Sequence, residues 1–165
     1  MMDTADTTRW LDEEEQLTWR QLSTMILRFQ PVLSAQLQRE FGISHFEYLI
    51  MACLSETPES KLRMSVLAAM TGSSLSRLSQ AVGRLEKRGW TSRQSDEEDS
   101  RFTLAVLTSA GLRQLQEAAP SHVAAVREFV FDRLTPAQTR QLGTICQLIL
   151  DGLPPDDSWP STTPS

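Results

Sequence analysis

The sequence predicts a mainly α-helical protein with one small β-hairpin and long helices at both ends. Three observations support this fold class. Apolar residues recur every three or four positions over most of the 165 residues, as on the buried side of amphipathic helices. In residues 101–107 the large apolar side chains Phe102, Leu104 and Val106 instead alternate with Thr103 and Ala105, a period of two that is typical of a strand. The hydrophobic content of 40% is that of an ordinary globular protein with a buried core.

The first 40 residues or so predict one long helix. Its apolar positions recur at helical spacing and are Leu22, Ile26, Phe29, Leu33, Leu37 and Phe41. Gly42 suits the position after a helix end, where the left-handed conformation is common. Pro31 lies inside the pattern. Since proline removes a backbone donor and clashes one turn back, we expect a kink or a restart there.

Two shorter helices follow. Ser44 and Glu47 have the spacing of a capping box, in which a hydroxyl and a carboxylate each bond to a first-turn amide. We expect a short extended piece at residues 62–64 and then a brief third helix over 66–70, capped by Ser65.

A fourth helix, from a cap at Ser73 or Ser74 to Arg88, has the most informative surface. Its apolar side consists of Leu75, Leu78, Val82 and Leu85. Its opposite side carries cations and no anion, and consists of Ser76, Arg77, Gln80, Arg84, Lys87 and Arg88. A solvated helix surface usually mixes both signs of charge, so this side indicates a functional surface, with a plain solvated surface as the alternative.

A hairpin and two further helices complete the pattern. Strands at residues 90–95 and 101–107 enclose a polar tip at 96–100, and apolar Phe102, Leu104 and Val106 alternate with Thr103 and Ala105. Thr108 should cap the next helix, which Pro120 should interrupt. Thr135 and Pro136 have the cap and first-turn pattern that starts a last helix.

Charge is distributed unevenly along the chain. The net charge of −5 argues against nucleic acid, because binding to phosphates requires a cationic surface. Residues 61–93, however, hold seven basic residues and one acidic residue, a local charge of +6 that leaves −11 on the rest. A cationic middle between acidic helices is an asymmetry that a reader of DNA requires and a catalytic domain does not.

The order helix, short helix, helix and hairpin is that of a winged helix-turn-helix, in which the last helix enters the major groove. Individual motifs support this arrangement; they are Leu67-Ala68-Ala69, Gly72, Ser74-Leu75-Ser76, residues 82–90, Asp96, Asp99-Ser100-Arg101 and residues 106–111. On these residues the chain resembles the MarR family of bacterial transcriptional regulators over nearly its whole length. Glu97 and Ser100 depart from the family pattern and make the wing more acidic. We therefore expect the tip to lie away from the duplex or to neutralise cations of its own hairpin.

Chemistry and resemblance together predict the DNA-binding residues. Arg77 and Gln80 are the candidate base readers, because arginine pairs with guanine and glutamine with adenine through two hydrogen bonds. Ser74 and Ser76 would bind phosphate at the helix start, and Arg84, Lys87 and Arg93 would contact the DNA backbone. The resemblance implies that Arg101 enters the minor groove, oriented by Asp99. An ion pair within the wing without a DNA role is the alternative.

The resemblance also implies a homodimer formed by the first and last helices. Their apolar residues exceed what a winged domain can cover, although one larger monomeric core is an alternative. We predict a dimerisation helix at residues 1–42, a DNA-binding domain at 43–108, dimerisation helices at 109–152 and a disordered tail at 153–165. The function predicted is that of a ligand-responsive repressor on a palindromic operator, with a winged-helix module for an acidic protein partner as the alternative.

The input signal is less clearly indicated. Relatives bind small aromatic effectors, and His45 and Tyr48 are candidate ligand-binding residues or ordinary polar groups of an interface. Cys53 lies on the apolar side of the second helix, where an inert thiol is the expected role, and Cys146 is ambiguous. We expect no catalysis, metal or cofactor, since no motif for them occurs. The longest apolar run, residues 48–54, is too short to cross a membrane, and no secretory signal is recognisable, so a cytoplasmic protein is expected.

Overall fold

The computed structural model describes residues 8–153. Its α-helices are α1 Glu13–Phe41, α2 His45–Ser55, α3 Met64–Met70, α4 Leu75–Lys87, α5 Ser109–Phe129 and α6 Pro136–Asp151. Its strands are β1 Lys61–Arg63, β2 Thr91–Ser95 and β3 Thr103–Leu107, and short 3-10 turns lie at Pro58–Ser60 and Phe131–Arg133. The predicted fold class, mainly helical with a small hairpin, is confirmed. Except for Leu153, the predicted disordered tail lies outside the described residues.

The chain divides into two compact units after Val32. The described part of the first unit contains most of α1, and its large apolar side chains, among them Leu17, Trp19 and Ile26, are exposed. The second unit begins at Leu33 and contains the hydrophobic core. The functional division predicted from the sequence, at residues 42, 108 and 152, stays a prediction.

Local capping signals account for most helix ends. The Ser44 hydroxyl accepts a hydrogen bond from the amide of Glu47, whose carboxylate accepts from the Ser44 amide, so the predicted capping box is confirmed. Thr135 and Gln138 form a second box at the start of α6. Gly42 and Gly89 adopt the left-handed conformation after α1 and α4, with φ of 67° and 73°.

Three expectations about helix boundaries and surfaces were wrong. Pro120 does not interrupt its helix, and buried side chains close by, such as Ala118, stabilise the continuous α5. At Pro31 the helix does not restart, since α1 runs on to Phe41, and the kink stays a prediction. The third helix begins at Met64 rather than after Ser65, because β1 delivers the chain directly into it. Leu75 is 54% exposed at the first position of α4, and Ala81 occupies the core instead.

The hairpin belongs to a three-stranded antiparallel sheet of order β1-β3-β2. β1 corresponds to the extended piece expected one residue later, and it pairs Leu62 with Ala105. In β3 the adjacent residues Leu104 and Ala105, which point to opposite faces of the sheet, are both buried, and Phe102 just before the strand is exposed. Simple alternation therefore fails in this strand.

The core of the second unit joins α2, α3, α4, β3 and α5 with the C-terminal end of α1. Fully buried side chains at its centre include Leu37, Ile50, Leu54, Leu67, Leu78 and Leu85. The start of α5 also packs against backbone: a Cβ atom at Gly111 would overlap the carbonyl oxygen of Trp90. Among residues 8–153, no helix is long and apolar enough to cross a membrane.

Candidate nucleic-acid interface

Helix α4 turns its apolar side to the core and its polar side to solvent. Leu78, Ala81, Val82 and Leu85 are buried. The predicted contact residues of this helix are all exposed, and they are Ser74, Ser76, Arg77, Gln80, Arg84 and Lys87. Glu86 is half-buried on the opposite side of the helix from Arg77. The exposed surface of α4 thus presents donors and positive charge, which phosphates and base edges require.

The start of α4 is fixed by Ser74. Its side chain accepts a hydrogen bond from the amide of Arg77, with 3.3 Å between Oγ and N. This contact leaves the hydroxyl proton of Ser74 for an acceptor outside the helix. Ser76 is exposed in the same first turn, where backbone amides and the helix dipole favour an anion.

Two arginines of the exposed surface of α4 contact the first turn of α2. The guanidinium carbon of Arg77 lies 4.6 Å from the centre of the Phe46 ring, a cation–π geometry. Nε of Arg84 donates to Oε1 of Glu47 at 2.8 Å. Both arginines are exposed, so each is held at one side and open to solvent at another.

Arg93 and Arg88 are anchored more firmly. Arg93, on β2, donates through Nη2 to the backbone oxygen of Ser79 at 2.6 Å, and its Nε lies 3.4 Å from the Glu86 carboxylate. The predicted phosphate contact of Arg93 would therefore be made while it links β2 to α4. Arg88 donates to the backbone oxygen of Gly42 at 2.8 Å, beyond the end of α1, where carbonyl groups favour a cation.

Two arginines, Arg63 and Arg101, offset part of the negative charge of the wing. Asp96 is buried and accepts from Nε of Arg63 at 2.6 Å, and Glu98 lies 3.8 Å from the same guanidinium. A backbone hydrogen bond from Glu98 and the Arg63 side chain hold the pKa of Asp96 below its usual value. Arg63 belongs to β1, so this cation comes from outside the hairpin. Asp99 and Arg101 pair within the hairpin itself, as expected, and Arg101 points into solvent.

His45 and Tyr48 lie close to a third ring, that of His122 on α5. The ring centres of Tyr48 and His122 are 4.3 Å apart, and those of His45 and His122 are 5.2 Å apart. His45 and Tyr48 are buried, and burial, with a smaller contribution from His122, lowers the pKa of His45 to about 4. Nδ1 of His122 is buried without a hydrogen-bond partner, which makes it an available acceptor or donor.

Both cysteines are free thiols. Burial raises the pKa of the half-buried Cys53 thiol, consistent with an inert group, and Cys146 is exposed on α6. Across residues 8–153, histidine, cysteine and acidic side chains form no cluster large enough to hold a metal ion.

Three participants were missed in the sequence. Phe46 and Glu47 support the arginines of α4, and His122 joins His45 and Tyr48. The capping-box spacing did mark Glu47, but only as a helix signal. Nothing in a single sequence connects His122 with His45, because the contact depends on how α5 packs against α2.

Taken together, the three helices α2, α3 and α4, the sheet and the exposed cationic surface define a winged helix-turn-helix protein. The model of the MarR family matches residues 41–101. The solved structure of Sco3205, a MarR family transcriptional regulator from Streptomyces coelicolor in complex with DNA, is 44% identical to the chain. The match covers 92% of this chain and 95% of that one, with a TM-score of 0.86. The chain belongs to the MarR family of transcriptional regulators.

Other solved structures agree with this assignment. AbsC, also a MarR family regulator from Streptomyces coelicolor, is 37% identical over 87% of this chain and 97% of its own, with a TM-score of 0.81. BldR from Sulfolobus solfataricus shares the fold at 22% identity, with 87% and 99% of the two chains covered and a TM-score of 0.73. A comparison with curated protein sequences gives no significant match.

Proposed function

We propose that the chain is a sequence-specific DNA-binding repressor that binds a palindromic operator as a homodimer and responds to a small ligand. The exposed surface of α4 carries this proposal. Its outward side chains are hydroxyl, amide, guanidinium and ammonium groups, and the acid of the helix, Glu86, faces elsewhere. Sco3205, whose structure contains DNA, supports the same function for a chain of 44% identity.

On this proposal α4 lies in the major groove. Arg77 and Gln80, in its N-terminal half, read bases, since the first turns of a recognition helix approach base edges. Ser74 and Ser76 donate to phosphate at the helix start. Arg84, Lys87 and Arg93 hold the DNA backbone and fix the register of α4 without reading sequence.

The wing contributes a separate contact. Arg101 is exposed at the tip of the hairpin and Asp99 is the group that orients it. A guanidinium of this kind fits a narrow minor groove, where the negative potential is concentrated. Arg63 offsets one of the two negative charges of Asp96 and Glu98, which lowers their repulsion of the DNA.

A second copy of the chain is the proposed partner of the terminal helices. Helix α6 exposes Ile145, Leu148, Ile149 and Leu150, and none of its residues is buried. An apolar helix face left in water is typical of an obligate interface. Two-fold symmetry would place two α4 helices about one turn of DNA apart, which explains a palindromic operator.

The ligand site is proposed at His45 and Tyr48. The unpartnered Nδ1 of His122 beside these rings supports a ligand that is aromatic and carries a polar group. We propose a cytoplasmic location, where the operator DNA of such a regulator lies, and no role for catalysis, a cofactor or a metal.

Selection of duplexes from a randomised library by the wild-type protein tests the function. We expect enrichment of a palindromic sequence, a binding constant that falls steeply with salt, and a stoichiometry of two chains per duplex. An acidic protein partner would instead give salt-dependent binding to any polyanion without enrichment, and that result would overturn the proposal.

A further inference from the structure

We propose that Phe46 and Glu47 in the first turn of α2 are positioning residues that preset Arg77 and Arg84 for the operator. The inference rests on the proposed DNA-binding function and assigns specificity to side chains that lie beneath the exposed surface of α4. It concerns how the arginines are held, and it adds no direct contact with DNA.

Glu47 is a fixed anion. Glu47 is only 5% exposed, and its Oε2 atom accepts hydrogen bonds from both the amide and the hydroxyl of Ser44, at 2.9 and 3.0 Å. Burial alone would raise the pKa of Glu47, but the hydrogen bonds from Ser44 and Arg84 hold it below its usual value. The carboxylate therefore stays charged and in one orientation, with Oε1 left for Arg84.

Arg84 is held at one end only. Its side chain is 54% exposed, and the contact with Oε1 of Glu47 is made through Nε at 2.8 Å. The guanidinium has further donors on its Nη atoms, and these suit a phosphate oxygen. A long side chain that is already ordered loses less rotamer freedom on binding, so the anchored arginine binds more tightly in one register.

Arg77 has a different support with the same effect. Phe46 is partly buried against the core, and its ring lies 4.6 Å from the guanidinium carbon of Arg77. Arg77 and Arg84 are two helical turns apart on one side of α4, and their supports are consecutive residues of α2. A single rigid turn thus determines where both guanidinium groups lie.

A purely structural tie between α2 and α4 is the competing explanation. It predicts that loss of the contact between Glu47 and Arg84 lowers the stability of the fold and weakens binding to every DNA sequence equally. A positioning role predicts a selective loss of operator binding, because complexes with random DNA tolerate any placement of the two guanidinium groups.

The test is a cycle of Glu47→Gln, Arg84→Lys and the double variant, with a selected duplex and a scrambled duplex of the same length. Glutamine keeps the capping box, and lysine keeps the charge of Arg84 but has no Nε to donate. We expect each single variant to lower the operator-to-scrambled affinity ratio about tenfold, and the double variant to lower it no further.

Phe46 is tested in parallel. Phe46→Tyr keeps the aromatic ring and should keep the ratio, whereas Phe46→Leu removes the ring and should reduce it about fivefold, with the largest loss at the base pair that Arg77 contacts. Glu59→Gln, which removes the exposed ion pair of Glu59 with Lys61 and touches neither α4 nor the proposed dimer helices, is the matched control and should leave the ratio unchanged.

Melting temperatures of all variants show whether a lower affinity ratio is accompanied by a loss of stability, as the purely structural explanation requires. The inference is overturned if Glu47→Gln and Arg84→Lys keep the wild-type ratio, or if their effects add in the double variant. If the wild-type protein selects no duplex at all, the proposed function has failed, and the inference fails with it.

Discussion

Both carboxylate oxygens of Asp99 accept hydrogen bonds from the guanidinium of Arg101, at 2.9 Å from Nε to Oδ1 and 2.6 Å from Nη2 to Oδ2. The amide of Arg101 also donates to Oδ1 at 3.1 Å. The same aspartate therefore closes the turn of the wing and orients the Arg101 side chain. The Arg101 side chain hydrogen bonds, followed by that amide, hold the pKa of Asp99 below its usual value. Because the Arg101 side chain is 83% exposed, the pair fixes its direction without hiding its charge.

For the wing, Arg101→Ala should remove most operator affinity, whereas Asp99→Ala should cost less, since the charge remains and only its direction is lost. Arg101→Lys should restore only part of the operator affinity. The ammonium of lysine is more strongly hydrated than a guanidinium, so its insertion into the minor groove costs more. The loss in Arg101→Ala should be larger on operators with A·T steps under the wing than on G·C-substituted ones. Fluorescence anisotropy at fixed salt measures this. Wild-type affinity of Arg101→Ala for both operators would make the pair purely structural.

For α4, Arg77→Ala and Gln80→Ala should each lower operator affinity by about 1 to 3 kcal/mol and leave binding to random DNA nearly intact. Lys87→Ala is the comparison variant, because its flexible ammonium can follow the phosphates of any duplex, so its loss should weaken binding to all sequences alike, unlike loss of the anchored Arg84. Titrations on selected and scrambled duplexes give both quantities. Equal losses of Arg77→Ala on the two duplexes would show that this residue contacts phosphate only.

For the dimer, Leu148→Asp should produce a monomer and abolish operator binding, because its side chain is 67% exposed on an apolar side of α6. Gln147→Glu adds a charge to the same helix on a polar side and should leave a dimer. Removal of the residues before Phe29 should also abolish dimerisation. Sedimentation velocity reports the mass of each variant. If the Leu148→Asp protein still sediments as a dimer, the apolar side of α6 is not the dimer interface.

Acid should destabilise the fold through His45. Its pKa is about 4 in the folded chain and 6.5 without burial, so the unfolded chain binds the proton more readily. The stability contributed by neutral His45 is therefore complete above pH 6.5 and is lost as the pH falls towards 4. From this group we expect the free energy of unfolding to be about 2 kcal/mol lower near pH 4.5 than near pH 7.5. Urea denaturation of wild type and His45→Phe should show a weaker pH dependence in the variant; parallel curves would contradict this.

Gly111 should tolerate no side chain. A methyl group there would overlap the Trp90 carbonyl oxygen and lie 2.7 Å from a Leu107 methyl carbon, so Gly111→Ala should lower the free energy of unfolding by about 1 to 3 kcal/mol. Gly143→Ala is the matched control, because nothing lies within 4 Å of a Cβ there and alanine favours the helix. Thermal denaturation of both variants suffices, and equal melting temperatures would disprove the close approach.

The sequence predicted those features that depend on neighbouring residues. Ser44 with Glu47 and Gly89 after α4 mark helix ends through local hydrogen bonds and backbone preference. Errors arose where packing overrode local preference, as at Pro120 and Leu75. The approach of His122 to His45 joins distant parts of the chain, which no local pattern contains.

In the predicted interface, too, local features were predictable from the sequence and contacts between distant residues were not. Helical periodicity placed the contact residues of α4 on the solvent side, and the structure has them exposed. It could not show that Glu47 faces Arg84 from another helix, because that contact depends on the packing of α2 against α4. Sequence patterns thus located the surface, and the supports beneath it emerged only from the tertiary structure.

The pairing of β1 with β3 has a consequence for how the molecule folds. Residues 61–63 join residues 104–106, so α3, α4 and β2 all lie within one closed loop of the chain. The β2–β3 hairpin forms from neighbouring residues, whereas the β1 contacts carry the entropy of closing that loop. The hairpin can therefore assemble early, and β1 completes the sheet late. Once β1 is paired, the chain segment that contains α4 is tied down at both of its ends, so we expect the amide protons in the middle of α4 to exchange mainly when the sheet opens.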